Sequence, residues 1–173
     1  TSNICTAQVL LANMAGMYAC WHGPEGLRRI AERVQRLASL AAVALGSGGV
    51  MLVHDTWFDT LAVECDAEAV LAAGRAGGLD LRGLDECHVS FSFDETTTVA
   101  VVEQVLALFG VDARLSTDAT DALDGLRDRR NDEVLPQAVF HRYHSEHEML
   151  RYLRRLADKD LALDRTMIPL GSC

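Results

Sequence analysis

His141, His144 and His147 are half of the six histidines in this chain of 173 residues, and they fall within one short stretch. Three imidazoles so close together could hold a divalent metal. Their spacing argues against it. Steps of three and six residues only partly share one face of a helix. Ser145 followed by Glu148 reads as a capping box that starts a helix, which puts His141 and His144 ahead of it, where helical spacing does not apply. No cysteine is near in sequence. The sequence therefore predicts no metal site. His144, Arg142 and Ser145 could line a pocket instead. The preferred reading is that the histidine and arginine hold the helix entrance in place by hydrogen bonds to local backbone groups.

The chain has one lysine, Lys159, set in Ala157-Asp158-Lys159-Asp160. A lysine that forms a Schiff base needs its amine deprotonated, by burial or a neighbouring cation. Two flanking aspartates act the other way, so Lys159 reads as a solvated side chain. Gly46-x-Gly48-Gly49 follows a helix and precedes a strand. That is the wrong order for a phosphate loop at a helix N-terminus and the right one for a helix stop. No G-x-S-x-G and no P-loop motif is present. Cys173 is a candidate reactive thiol, and thiol reactivity depends on exposure and pKa.

Composition narrows the class. Nearly half of the residues are apolar and 24% are charged, within the globular range, and the length suits one domain with a sizeable core. A net charge of −9 argues against nucleic acid or an anionic membrane as the main partner. The five cysteines, Cys5, Cys20, Cys65, Cys87 and Cys173, form no C-x-x-C pair, so reduced thiols and a cytoplasmic location are expected. Residues 1–24 carry no charged side chain. Asn3, Gln8, Asn13, Gly16 and Pro24 nevertheless argue against a membrane span, and there is no basic leader of the signal-peptide kind.

The elements that position these residues follow from periodicity. Residues 6–21 have apolar groups nearly all round (Val9, Leu10, Met14, Met17, Tyr18, Trp21) and predict a helix buried on most sides. His22-Gly23-Pro24 ends it, and Pro24 suits the first turn of the next helix. That helix is amphipathic through Leu27, Ile30, Val34, Leu37, Ala41 and Leu45. Val50–His54 and Trp57–Cys65 read as two strands of a hairpin. A short helix over 67–76 stops at Gly77-Gly78, strand character returns from Leu79, and His88–Phe93 alternates apolar with polar residues. Asp94-Glu95-Thr96-Thr97-Thr98 offers N-caps for a helix with the stripe Val99, Val102, Leu106 and Phe109. Residues 111–139 are rich in Asp and Arg and read as a solvated connector. In the last helix Met149, Leu150, Leu153 and Leu156 form the apolar face, and Arg151, Arg154 and Arg155 lie towards the C-terminus, as the helix dipole favours. The expected architecture is α+β, a small antiparallel or mixed sheet with helices on one side. The division is 1–110 as a small domain, 111–139 as connector and 140–173 as helix and junction.

Six ordered motifs carry a resemblance. They are T-S-N-I-C-T-A-Q at the start, M-Y-A-C-W-H-G-P-E-G-L over 17–27, F-D-T-L at 58–61, F-D-E-T-T-T at 93–98, R-Y-H-S-E at 142–146 and I-P-L-G-S-C at 168–173. In this order they resemble glycine dehydrogenase, the decarboxylating P-protein of the glycine cleavage system, over nearly the whole chain. Trp21 stands where that family usually has Tyr. The residue matching His144 is usual there, Asn is common where His141 stands, and the His147 position varies. The family is much longer and has two homologous halves of the fold-type-I pyridoxal-phosphate kind, with the Schiff-base lysine in the second half. The resemblance implies an internal fragment covering the small domain of the first half and the crossing into the second. A start without Met and a final motif cut at Cys173 fit that expectation.

Several further expectations follow from the resemblance. The parent uses pyridoxal 5'-phosphate to decarboxylate glycine and passes the aminomethyl group to the lipoyl arm of the H-protein, as a homodimer. The fragment itself is expected to bind no cofactor and to be inactive alone. Ser172, Cys173, His144 and Arg142 are its candidate contributors to the parent's site. A rival from another class is a non-catalytic binding or regulatory module that presents the capped terminal helix and the acidic connector.

Overall fold

The computed structural model describes residues 6–116, 130, 132–159, 164, 165 and 167. Ser172, Cys173, Cys5 and residues 117–129 and 131 of the 111–139 connector lie outside the described residues. The chain divides into two compact units, Arg29–Arg130 and a unit formed by Thr1–Arg28 with Asn131–Cys173.

In the Arg29–Arg130 unit, β1 (Thr60–Glu64), β2 (Arg82–Gly83) and β3 (His88–Ser92) make an antiparallel sheet in the order β1-β3-β2. Leu61 faces Phe91 and Val63 faces Val89 across the central pair. The period of two therefore places Leu61, Val63, Val89, Phe91 and Phe93 on one face, and all five are buried. The other face presents Thr60, Glu64 and Ser92 to solvent, with Thr60 Oγ1 and Ser92 Oγ hydrogen bonded at 2.6 Å. The expectation of a small sheet with one buried and one wetter face holds, and the sheet is antiparallel throughout.

Two helical segments cover the apolar face. The long helix α1 (Thr6–Ser47) contributes Leu37, Ala38, Ala41, Ala42 and Leu45, at the steps of three and four read from the sequence. Helix α3 (Val99–Leu108) adds Val102, Val105 and Leu106. Helix α2 (Ala67–Ala76) packs Ala67 and Val70 against Val89 at one end. The starts of α2 and α3 are each capped by a side chain that accepts a free backbone N–H. Asp66 accepts from Ala69 at 3.1 Å, and Thr98 accepts from Val101 at 3.3 Å. All three helices end in the same way: Val50 donates to Leu45, Leu79 to Gly74 and Val111 to Leu106, around Gly49, Gly78 and Gly110 at positive φ. Gly46–Gly49 is thus a helix stop, as the sequence suggested.

Two strand expectations are corrected. The Val50–His54 limb of the hairpin is reduced to a single bridge between Leu52 and Val63, with hydrogen bonds from Val53 to Ala62 and from Glu64 to Met51. Val50 and Leu52 reach the core, but Met51, Val53 and the polar residues His54 to Thr56 are exposed, so nothing apolar holds a longer ladder. The second limb begins only at Thr60, because Trp57 turns inward. Its Nε1 donates to Ser39 Oγ at 3.1 Å. Gln35 Nε2 donates to the same hydroxyl at 2.9 Å, and Gln35 is fully buried.

In the other unit α1 is interrupted at Gly23 (φ 62, ψ 177), with Pro24 opening the following turn. The two helices expected around His22-Gly23-Pro24 are therefore present. The first is not buried in this chain, contrary to its all-round apolar pattern. Leu10, Leu11 and Met14 are each more than half exposed, and only Cys20 is buried in that segment. The terminal helix α4 (Glu146–Ala157) follows a single 3₁₀ turn over Ala138–His141. No helix among the described residues is long and apolar enough to cross a membrane.

Candidate functional site

The sequence pointed to the entrance of α4, and the structure shows what assembles there. Ser145 caps the helix: its Oγ accepts from the Glu148 N–H at 3.4 Å and donates to Glu148 Oε2 at 2.9 Å. The capping box thus closes through the two side chains. Met149 on the inner face is buried, while Leu150 and Leu153 are exposed.

Both histidines ahead of the helix bond to backbone carbonyls. His141 Nε2 donates to the Leu135 carbonyl at 2.9 Å, and Leu135 holds a left-handed φ of 53 just before Pro136. His144 Nδ1 donates to the Trp21 carbonyl at 2.7 Å. A carbonyl only accepts, so Nδ1 carries a proton in this contact. Gly23 makes this approach possible. A Cβ there would lie 2.8 Å from His144 Cε1, 2.8 Å from the Phe140 carbonyl oxygen and 3.4 Å from His144 Nε2. The motifs W-H-G-P and R-Y-H-S-E, far apart in sequence, are therefore in direct contact.

Beside them Tyr143 and Tyr152 stack with ring centroids 4.1 Å apart and planes 8° from parallel. The Arg155 guanidinium lies over both rings at 5.3 and 5.6 Å and donates to the Tyr143 hydroxyl at 2.6 Å. Burial, with Cys20 and Tyr143 nearby, pushes the Tyr152 hydroxyl above its ordinary pKa, and burial alone raises the Cys20 thiol. Tyr143, Glu148, Arg151, Arg154 and Arg155 line an open groove of about 430 Å³. At the far end of α4, Arg154 pairs with Asp158 at 3.1 Å and with Asp164 at 2.5 Å, and the Arg154 side chain holds the Asp164 carboxyl below the usual carboxylate range.

Of the candidate residues, Arg142 is exposed, and Ser172 and Cys173 lie outside the described residues. His147 is exposed and does not join His141 and His144 at a common point. Among the described residues no group of three or more His, Cys, Asp or Glu could hold a metal ion. Lys159 is exposed, in the turn that closes α4, where its N–H bonds the Leu156 carbonyl. The described residues do not fit pyridoxal phosphate as a covalent partner: that lysine is open to water and follows Asp158.

Two further motifs hold backbone in place. In F-D-E-T-T-T, Asp94 Oδ1 accepts from the N–H and hydroxyl of both Thr96 and Thr97 at 2.8–2.9 Å, which sets up the Thr98 cap. Arg33 of α1 donates to the Glu95 and Thr97 carbonyls at 3.3 and 2.6 Å. In F-D-T-L, the Asp59 carbonyl accepts from Phe93 at 3.0 Å and extends the β1–β3 ladder. Sequence reasoning missed the Tyr143–Tyr152–Arg155 stack and the Ser39–Trp57 bond. Steps of nine and three residues across a helix cap give no periodic signal.

The Arg29–Arg130 unit is a helix-flanked antiparallel α+β fold. The family model for the glycine cleavage system P-protein matches residues 1–109, so the chain belongs to that family. It is similar to proteins named glycine dehydrogenase (decarboxylating). It is 57% identical over 178 aligned residues to those of Stenotrophomonas maltophilia (strain R551-3) and Xanthomonas axonopodis pv. citri (strain 306), covering 100% of this chain and 18% of each relative. To that of Pectobacterium atrosepticum it is 50% identical over 186 residues, covering 99% of this chain and 19% of the relative. The chain thus spans less than a fifth of the length of these relatives.

Proposed function

We propose that this chain is a segment of a glycine-decarboxylating P-protein and supplies scaffold rather than reacting groups. The single observation that carries this reading is the 57% identity that runs from one end of the chain to the other. In the parent, pyridoxal phosphate supplies an electron sink for the carbanion left when glycine loses carbon dioxide. The partners we propose are the rest of the P-protein, the lipoylated H-protein that takes the aminomethyl group, and a second P-protein chain in a homodimer. The α+β unit is read as the small domain of a fold-type-I half, within residues 1–110, and the protein as cytoplasmic.

Within the segment, Ser172, Cys173, His144 and Arg142 remain the proposed contributors to the parent's site. The exposure of His144 and Arg142 supports the last two. Their role here would be to bind and orient; no step of the reaction passes through Lys159.

Two measurements test this. The chain is mixed with pyridoxal phosphate, reduced with borohydride and mapped by peptide mass. No specific label is expected, and stoichiometric labelling of Lys159 overturns the scaffold reading. The full-length protein with lipoylated H-protein should release carbon dioxide from the carboxyl of glycine. Failure to do so, with an H-protein shown to be active elsewhere, overturns the proposed activity.

A further inference from the structure

The β1–β3 register runs past the last formal strand pair. Leu61 faces Phe91, Val63 faces Val89 and Glu64 faces His88, so Cys65 and Cys87 are the next residues to face one another. The hydrogen bond from the Cys65 N–H to the Cys87 carbonyl, at 2.8 Å, confirms it. Residues opposed in this way carry their Cβ atoms on the same face of the sheet, and opposed residues of an antiparallel pair have Cα atoms about 4.5–5.5 Å apart; here one of the two ladder bonds is made, the Cys87 N–H going to Asp85 instead. That lies inside the span of about 4.4–6.8 Å that a disulfide bridges. Both cysteines are free thiols. Both line one cavity of about 560 Å³, with Met51, Val70, Leu108 and Phe109.

We infer that Cys65 and Cys87 form a reversible cross-strand dithiol–disulfide pair that locks the end of the β1–β3 ladder under oxidising conditions. The two thiols have different parts. Cys87 is exposed and meets the oxidant, a low-molecular-weight disulfide. Its thiolate attacks one sulfur of that disulfide, releases one small thiol and leaves a mixed disulfide on Cys87. Cys65 is partly buried, and burial with the neighbouring Asp66 raises its pKa, so it is a poor first nucleophile. Held opposite Cys87, it loses its proton to solvent and attacks the Cys87 sulfur, which expels the second small thiol. Two protein thiols are oxidised, and one small disulfide is reduced to two thiols.

The bond would tie the residue before the Asp66 cap of α2 to the turn before β3. That turn is already organised: Asp85 accepts from the Cys87 N–H at 2.8 Å and pairs with His88 at 2.8 Å. The inference is independent of glycine chemistry and needs only the sheet register.

The test uses the full-length protein carrying this segment, reduced and then exposed to oxidised glutathione under native conditions. After blocking of remaining thiols and digestion without reductant, the expected product is a peptide linking Cys65 to Cys87, lost on adding dithiothreitol. Cys65→Ser should instead trap glutathione on Cys87, and Cys87→Ser should leave Cys65 largely unmodified. The same oxidation in denaturant should lower the yield of the linked peptide at least several-fold. The inference is overturned if both cysteines of the native protein each carry glutathione without cross-linking, if both stay reduced while other cysteines react, or if Cys65 links elsewhere.

Discussion

Gly23→Ala is the most direct test of how the W-H-G-P and R-Y-H-S-E motifs meet. At φ 62 and ψ 177 the Gly23 backbone lies in a region open essentially to glycine alone. Forcing alanine there costs about 1–3 kcal/mol. The new Cβ would also sit 2.8 Å from the Phe140 carbonyl oxygen and 2.8 Å from His144 Cε1. The ring can turn aside by giving up its bond to Trp21; the backbone oxygen moves only if the 3₁₀ turn moves. Against this, alanine narrows the unfolded ensemble and returns about 0.4–1 kcal/mol. The net local loss is about 2 kcal/mol or more, and about 1.4 kcal/mol corresponds to a tenfold change in an equilibrium. Hydrogen exchange read by peptide mass over 140–157 should therefore show protection falling at least tenfold. Gly16 in the same helix is the control, since a Cβ there meets nothing within 4 Å. Gly16→Ala should raise protection by a helix-propensity gain of about 0.5–1 kcal/mol. Adding His144→Ala to Gly23→Ala removes one of the two close contacts and should recover only part of the loss. Unchanged protection over 140–157 in Gly23→Ala would refute the reasoning.

Three further outcomes are expected. Leu106→Ala removes a fully buried side chain from the centre of the Arg29–Arg130 core and should destabilise that unit by about 2–5 kcal/mol in urea unfolding followed by Trp57 fluorescence. Ser39→Ala leaves the Trp57 and Gln35 N–H groups without their shared acceptor and should cost about 1–3 kcal/mol, with Ser39→Thr closer to the wild type. The third concerns acid. The Thr96 and Thr97 hydroxyls hold the Asp94 carboxyl below the ordinary range, and the Cys87 N–H with His88 does the same for Asp85. A depressed folded pKa gives stability that is complete at neutral pH and is lost as pH falls through the ordinary carboxylate range to the folded value. Asp94→Asn should lose less than the wild type across that window when urea midpoints are compared, and identical slopes would count against the Asp94 turn.

Local signals were the legible ones. Helix α2 runs over the residues expected, Ser145 caps α4, and the glycine stops fall where the sequence put them, because each depends on a few neighbouring backbone groups. The face of α1 that Leu37, Ala41 and Leu45 bury was readable for the same reason. Pairing was harder. Val50–His54 has the alternation of a strand but too little apolar surface to hold a ladder against β1, and alternation alone does not measure that. The candidate site was readable as a place but not as a set of contacts. The sequence marked His144 at a helix entrance; that its partner is the Trp21 carbonyl, across a break that only Gly23 permits, depends on a chain path that no window of residues encodes. The Cys65–Cys87 opposition likewise appears only once the register is known.

The two-residue strand β2 has a consequence for solubility. His88–Phe93 is a run of the fibril-prone kind, apolar at every second position and without Asp, Glu, Lys or Arg. It lies at the centre of the sheet, with β1 on one side and β2 on the other. On the β2 side it is covered at Val89 and Ser90 by Arg82 and Gly83, an edge too short to template growth and marked by an exposed cation. On the opposite flank, the Leu52 bridge interrupts the free edge of β1. Substitutions that lengthen or neutralise that edge are therefore the ones to avoid when the protein is produced at high concentration.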